Sequence, residues 1–482
     1  MIINFKIISS LLGNITLYLA IAMLIPTIYA FSTVSRGSAE FLACSIGTAT
    51  LGFILKHLGN AHRKHMTLKD MFLFTSLVWV SIVLIAAFPF FYVLNLDYLS
   101  ACFESASAVS TTGITVLSDL ENLPPSILLW RSLLQFCGGI GFIAIGIAIL
   151  PNLNIGGMKL FQTESSEQSS DKVSPKSKNI AKGILILYIS LFLLAAIMLY
   201  ILGMTPFDAI NHAMTSVATG GMSTHSESID YFNDQIQWVI MFFMFVASLP
   251  FTILLLIVRG NINLFWKDTQ IKGYIILILF TAFIVSCSLV FKENLGLYDS
   301  IKISLFNVIN VLSSTGYTMH DYSGYNHFIT MIFLTLLPIG ACSGSTSSGL
   351  KIFRLQIAFT LFRRQIHQLM HPSAVFPQKY NNLSINDAII RSIVAFFCAY
   401  VIVLIISSMI LTITGFDILN AIAVSIDCLS NVGPAIGPQY GPMGDWTELT
   451  NIQRFVCMLD MIMGRLEIVT ILICFLPSFW RV

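Results

Sequence analysis

Four short glycine strings punctuate this chain at intervals of roughly a hundred residues. They are Ser110-Thr111-Thr112-Gly113-Ile114, Ala218-Thr219-Gly220-Gly221-Met222, Ser314-Thr315-Gly316-Tyr317-Thr318 and Asn431-Val432-Gly433-Pro434-Ala435, and each lies between two long apolar segments. A chain interrupted four times in the same slot reads as four copies of one unit, none of which buries its apolar faces alone. Packed about one axis, four such units bring their strings to one place. The pattern predicts a single site with fourfold pseudosymmetry.

The segments around the strings set the solvent. Hydrophobic residues make up 56% of the 482 and charged residues only 10%, the composition of an integral membrane protein. A net charge of +2, with no basic stripe interleaved with aromatics, argues against nucleic acid. The nine cysteines are scattered without zinc-like spacing and read as small core residues. His57, His62 and His65 lie in a basic loop without a cysteine partner and read as solvated. No P-loop is present, and Gly138-Gly139-Ile140-Gly141 sits inside an apolar run with no strand before it, so it reads as tight helix packing. No enzyme activity is indicated.

Apolar runs long enough to span a bilayer start near Ile8, Phe41, Met71, Ile127, Gly183, Ile236, Gly273, Phe328, Ala388 and Ile452. Ten spans put both termini on one side. Lys and Arg collect in alternate loops: Lys56 to Lys69, Lys159 to Lys182, Arg259 to Lys272 and Lys351 to Lys379. The opposite loops carry mainly acids, among them Asp97, Glu121, Asp234, Asp321 and Asp427. The positive-inside rule makes the basic loops and both termini cytoplasmic, with all four strings opening outward.

After two leading spans the chain repeats one order four times: long helix, short segment, glycine string, long helix. The expected division is 1–66 for a two-helix extension, then pore repeats at 67–158, 159–260, 261–380 and 381–482. The short segments Tyr98 to Val109, Pro206 to Val217, Asp299 to Leu312 and Phe416 to Leu429 are too short to span and read as re-entrant pore helices. Irregular backbone at membrane depth is tolerated where it is buried in protein or lines water, so four breaks predict a shared aqueous pathway. Backbone carbonyls replace a cation's water shell, glycine lets the chain turn them inward, and helix C-termini add negative potential. The expected cation-binding residues are Thr111, Thr112, Gly113, Thr219, Gly220, Thr315, Gly316, Val432 and Gly433, with threonine hydroxyls as further oxygens.

The eighth apolar segment is interrupted by small residues from Gly340 to Gly349, including Gly344 and Ser345, a poor helix former. An unwound break is expected, with a kink or a close small-residue helix contact as the other reading. Lys351 either holds the lower end of that break or snorkels to the interface. Arg465 stands near the middle of the last apolar segment, where a charge costs about 2.5 to 3.5 kcal/mol. It reads as an electrostatic barrier or a tether for the break, or as a structural partner of Glu467 or of neighbouring carbonyls. Arg131 reads as a helix-end anchor.

At these residues the chain resembles the TrkH, KtrB and HKT superfamily of potassium transporters, and the two leading helices resemble the TrkH branch. The resemblance implies an all-α polytopic membrane protein, two N-terminal helices followed by four helix, pore-loop, helix repeats around one pore. It implies potassium as the transported ion, one filter glycine per repeat (Gly113, Gly220, Gly316, Gly433), and a gate at Gly340, Gly344, Ser345, Gly349, Lys351 and Arg465. It also implies a homodimer in the bacterial inner membrane and a cytosolic TrkA-type ring that binds NAD or adenine nucleotides, with no organic cofactor in this chain. The alternative is a secondary transporter coupling potassium entry to protons or sodium, marked by membrane-embedded carboxylates. In the sequence, Glu467 is the main candidate.

Overall fold

A computed structural model describes residues 3–59, 66–148, 175–321, 325–373, 379–381, 383–433, 435–437, 439–442, 444 and 446–481. His62, His65 and most of the basic loop from Lys159 to Lys182 lie outside the described residues. Helices α1 (Phe5–Ser32) and α2 (Ser38–Leu58) form an antiparallel hairpin. Gly13 and Gly52 bring the two backbones together: a β-carbon on Gly13 would lie 2.7 Å from the Gly52 carbonyl oxygen.

Four repeats follow. The leading helix of each is long: α3 (Leu68–Ala86), continued by α4 (Phe88–Leu94), then α7 (Pro175–Ile201), α12 (Thr269–Glu293) and α16 (Asp387–Ile413). The short helices are α5 (Tyr98–Val109), α8 (Pro206–Val217), α13 (Leu297–Leu312) and α17 (Ile418–Ser430), within two residues of the segments expected from sequence. Asp97, Thr205 and Asp417 cap three of them by accepting from backbone N–H groups of the first turn. The four are almost wholly buried on their C-terminal halves, which the pore-helix reading requires.

The closing helices differ more than the sequence suggests. Only α6 (Pro125–Ala148) in the first repeat runs unbroken. In the second, α9 (Asp234–Ala247) and α10 (Phe251–Val258) meet at a 102° bend, where Pro250 cannot continue the helix, and the short α11 (Asn263–Lys267) follows. In the third, α14 (His327–Leu336) and α15 (Ile352–Met370) flank the small-residue run. In the fourth, α18 (Asn451–Arg465) and α19 (Ile468–Phe475) are separated by Leu466 and Glu467. Among the described residues, six helices are individually long and apolar enough to cross a membrane, or seven counting the bent pair. Several of the expected spans are therefore broken ones.

The repeats join head to tail. The closing helix of one packs on the short helix of the next: α6 on α8, α9 on α13, and α18 back on α5. Glycine sets the spacing within repeats, since Gly138 on α6 abuts the Val109 carbonyl and Gly464 on α18 abuts the Leu429 carbonyl. The stretch expected as a loop from Lys351 to Lys379 is mostly α15, followed by a two-residue antiparallel pairing of Lys379–Tyr380 with Leu383–Ser384. Its aromatic and aliphatic positions pack on α16, which the charge pattern concealed.

Candidate functional site: a ring of four strings

The strings share one backbone form. A non-glycine residue with φ near 50 to 57° (Thr111, Thr219, Ser314, Asn431) is followed two positions later by a glycine with positive φ: Gly113 at 93°, Gly221 at 72°, Gly316 at 87° and Gly433 at 114°. The equivalent glycine of the second string is thus Gly221, a correction to the expected Gly220. Gly220 aligns with Thr112, Thr315 and Val432.

The four glycines form a closed ring. Gly113 packs against the carbonyl oxygen of Gly220, Gly221 against that of Thr315, Gly316 against that of Val432, and Gly433 against that of Thr112. Each glycine thereby meets the carbonyl preceding the glycine of the next string, and the fourth returns to the first. The ring is narrow, because a β-carbon on Gly316 would lie 3.2 Å from the Thr112 oxygen of the first string. Positive φ and lack of space exclude side chains here for separate reasons. The ring sits at the C-terminal ends of the four short helices, where the helix dipoles favour a cation.

Polar side chains of the short helices brace the strings from behind. Glu104 accepts from the Val116 amide at 2.6 Å and from Thr115 Oγ1 at 2.7 Å. Asp208 accepts from Thr224 Oγ1 at 2.6 Å, and His212 Nε2 lies 3.0 Å from Ser223 Oγ. Asn310 receives the Tyr317 amide at 2.9 Å and donates to the Tyr317 carbonyl at 2.6 Å. Asp427 accepts from the Gly433 amide at 2.9 Å. Asn431 ties two strings together, donating to Thr112 Oγ1 at 2.9 Å and to the Met461 carbonyl at 2.8 Å. The hydroxyls of Thr112, Thr219 and Thr315 are bonded to protein groups, whereas Thr111 Oγ1 is buried without a partner among the described residues.

Beneath the ring lies the run Gly340 to Gly349, irregular and largely buried. It fits the break in the second repeat: Cys342 N donates to the Ser248 carbonyl, Thr346 Oγ1 to the Ala247 carbonyl at 3.0 Å, and Phe251 N to the Gly344 carbonyl at 2.9 Å. Unpaired helix ends are thus satisfied by another broken element. The run touches the ring directly through the Ser348 amide, which donates to Ser314 Oγ at 2.7 Å. From the fourth repeat, Arg465 Nη1 donates to the Thr346 carbonyl at 3.0 Å and to Ser348 Oγ at 2.6 Å. Lys351 Nζ donates to the Ser347 carbonyl, and Arg354 Nη2 pairs with Glu467 at 2.6 Å. Gly340 and Gly349 lie back to back at the two ends of the run.

The family model for TrkH, described as a cation transport protein, matches residues 37–481. The chain belongs to the TrkH family of cation transport proteins. It is 38% identical to the Trk system potassium uptake protein TrkI of Halomonas elongata, over 98% of this chain and 96% of that one. It is 31% identical to the Trk system potassium uptake protein TrkH of Escherichia coli strain K12, over 99% and 100%. The crystal structure of the potassium transporter TrkH from Vibrio parahaemolyticus superposes with a TM-score of 0.91 at 29% identity, covering 99% of this chain and 100% of that one. The family fold is the one derived above, two leading helices and four pore repeats, and the family transports ions and is not enzymatic.

Within this TrkH-family chain the structure corrects the readings of Arg131 and Arg465 and decides between the two for Lys351. Arg131 is no interfacial anchor: it is buried with its Nε 3.6 Å from Glu104. Arg465 ends a helix, because the chain breaks at Glu467, whose φ is 60°. Lys351 does not snorkel, since only 2% of it is exposed. Membrane-embedded carboxylates are also more numerous than the loops suggested, with Glu104, Asp427 and Asp460 all buried. For Glu104 and Asp427 the signal was a charge inside an otherwise apolar short helix, whereas Asp460 lies on the closing helix α18. Gln135, which meets the second string, carried no sequence signal beyond being polar among apolar neighbours.

In the linkers after the strings, Glu121 accepts from the Ser226 amide at 2.7 Å and from Ser226 Oγ at 2.6 Å. These bonds hold its carboxyl below the usual carboxylate range. The contact joins the first linker to the second.

Proposed function

We propose that this chain carries potassium into the cell through the ring of strings. The reading rests on one observation, the cyclic packing of Gly113, Gly221, Gly316 and Gly433 on neighbouring carbonyls. Carbonyls of Thr112, Gly220, Thr315 and Val432, together with those of Thr111, Thr219 and the glycines, replace the water shell of a dehydrated alkali ion without a carboxylate trap. Potassium is the ion named for the relatives described above. The divisions 1–66, 67–158, 159–260, 261–380 and 381–482 follow the repeats, and the basic loops and both termini face the cytoplasm of a bacterial inner membrane.

The run from Gly340 to Gly349 serves as the gate. Its backbone bond to Ser314 and its tether to Arg465 support that role, since an irregular segment held by hydrogen bonds between two broken helices is a bistable element. A homodimer and a TrkA-type cytosolic ring that senses NAD or adenine nucleotides belong to the same reading. Cytoplasmic basic residues on and after α15, among them Arg363 and Arg364, suit an acidic partner. The test is flux of potassium, rubidium and sodium into liposomes carrying the purified protein, with and without a pH gradient. Passive potassium and rubidium flux exceeding sodium is the expected result.

A second reading has its own observation. Asp427 and Asp460 are buried, and each has one carboxylate oxygen without a hydrogen-bond partner among the described residues. Buried acids of this kind suit proton exchange. Potassium entry that stops without a proton gradient selects this reading over a passive pore.

A further inference from the structure

The ring carbonyls are not equivalent. Gln135, fully buried on α6, donates from Nε2 to the Gly220 carbonyl at 2.5 Å and accepts the Met222 amide on Oε1 at 3.2 Å. Its amide straddles Gly221, fixing the residues on either side of the left-handed glycine. Gly220 has no side chain because Gln135 occupies the space, where a β-carbon would lie 2.5 Å from Oε1 and 2.8 Å from Nε2. The aligned residues Thr112, Thr315 and Val432 carry side chains, and among the described residues no donor meets their carbonyls. All four strings are braced by polar groups of their own short helices, and the second carries this additional brace from the closing helix of the preceding repeat.

We propose that Gln135 is a positioning residue that sets the preference among alkali ions through the Gly220 carbonyl. The inference rests on the strings being the filter. A sodium ion, smaller than potassium, is coordinated well only where the carbonyls move inward, and a carbonyl tied back by an amide resists that movement. The positive end of the amide dipole behind the oxygen also weakens its pull on any cation, which keeps the site shallow enough to release the ion. Both effects act against sodium more than potassium.

The test uses the full-length protein in liposomes with the near-isosteric Gln135→Met, which keeps the packing volume and cannot donate. Gln135→Asn, which retracts the amide by one methylene, is the second variant, and Gly113→Ser is the control. Loss of one hydrogen bond is expected to lower the potassium-to-sodium flux ratio about fivefold. Thermal unfolding of the same variants in potassium and in sodium is expected to show a smaller difference between the two salts than in wild type. A folded variant that keeps the wild-type ratio, or that loses stability equally in both salts with the ratio unchanged, overturns the inference while Gly113→Ser still shifts the ratio. If Gly113→Ser also leaves ion preference untouched, the filter reading itself fails and this inference with it.

Discussion

Arg465 and Thr346, from different repeats, meet beneath the ring: Arg465 Nη1 donates to the Thr346 carbonyl at 3.0 Å. The same guanidinium nitrogen reaches Ser348 Oγ at 2.6 Å, and the Ser348 amide in turn holds Ser314 of the third string. The end of α18, the irregular run and the ring are thus connected by two consecutive hydrogen bonds through Ser348, with the bond to Thr346 beside them.

Arg465→Ala is expected to raise unstimulated potassium flux by about tenfold or more, since each charge-assisted bond contributes roughly 1.5 to 3 kcal/mol. Arg465→Lys separates two roles. It keeps the positive charge and loses the planar fork, so a leaky lysine variant identifies a tether and a tight one identifies an electrostatic barrier, as read by liposome flux.

Arg354 and Glu467 form a buried pair at 2.6 Å, with the Arg354 guanidinium 3.9 Å from the Phe396 ring centroid. Glu467→Gln is expected to cost about 3 to 5 kcal/mol by leaving a buried charge uncompensated. Adding Arg354→Met recovers part of that loss. Thermal unfolding of the two variants in detergent measures it, and equal destabilisation in both would exclude coupling.

Two glycines of similar φ separate strain from crowding. Gly433, at φ 114°, would place a β-carbon 2.6 Å from the Thr112 oxygen, whereas Gly203, at φ 104°, has nothing within 4 Å. Gly203→Ala is expected to cost about 1 to 2 kcal/mol and leave ion preference intact. Gly433→Ala is expected to abolish selective flux, measured against sodium in the same vesicles.

The Glu121 to Ser226 clasp predicts an acid-sensitive linker. Because the folded carboxyl titrates below its ordinary value, its contribution is fully present above the unfolded pKa of about 4.3 and is lost as pH falls through the lower folded value. Limited proteolysis should therefore show Ser226→Ala more susceptible than wild type by the same margin from about pH 5 upward, with the margin closing below about pH 4.

Much of this was legible in the residues. Tyr98 to Val109 and Pro206 to Val217 read as short helices because their apolar runs stop at a glycine string, and helices they are. The register of the second string was not legible, since Gly220 and Gly221 are adjacent and sequence offers no φ to choose between them. The bend at Pro250 and the break at Glu467 escaped for a related reason. Hydropathy averages over a span, and a break is stabilised by partners far away in the chain.

The sequence by itself determined the solvent, the fourfold repeat and the positions of the strings, because apolar length and glycine are local properties of the chain. Only the tertiary structure decided which glycine of the second string enters the ring, which carbonyl Gln135 holds back, and how Arg465 reaches the run from Gly340 to Gly349. Those depend on groups brought together from different repeats. A buried polar atom takes whatever partner the packing supplies, and that partner cannot be read from its neighbours in sequence.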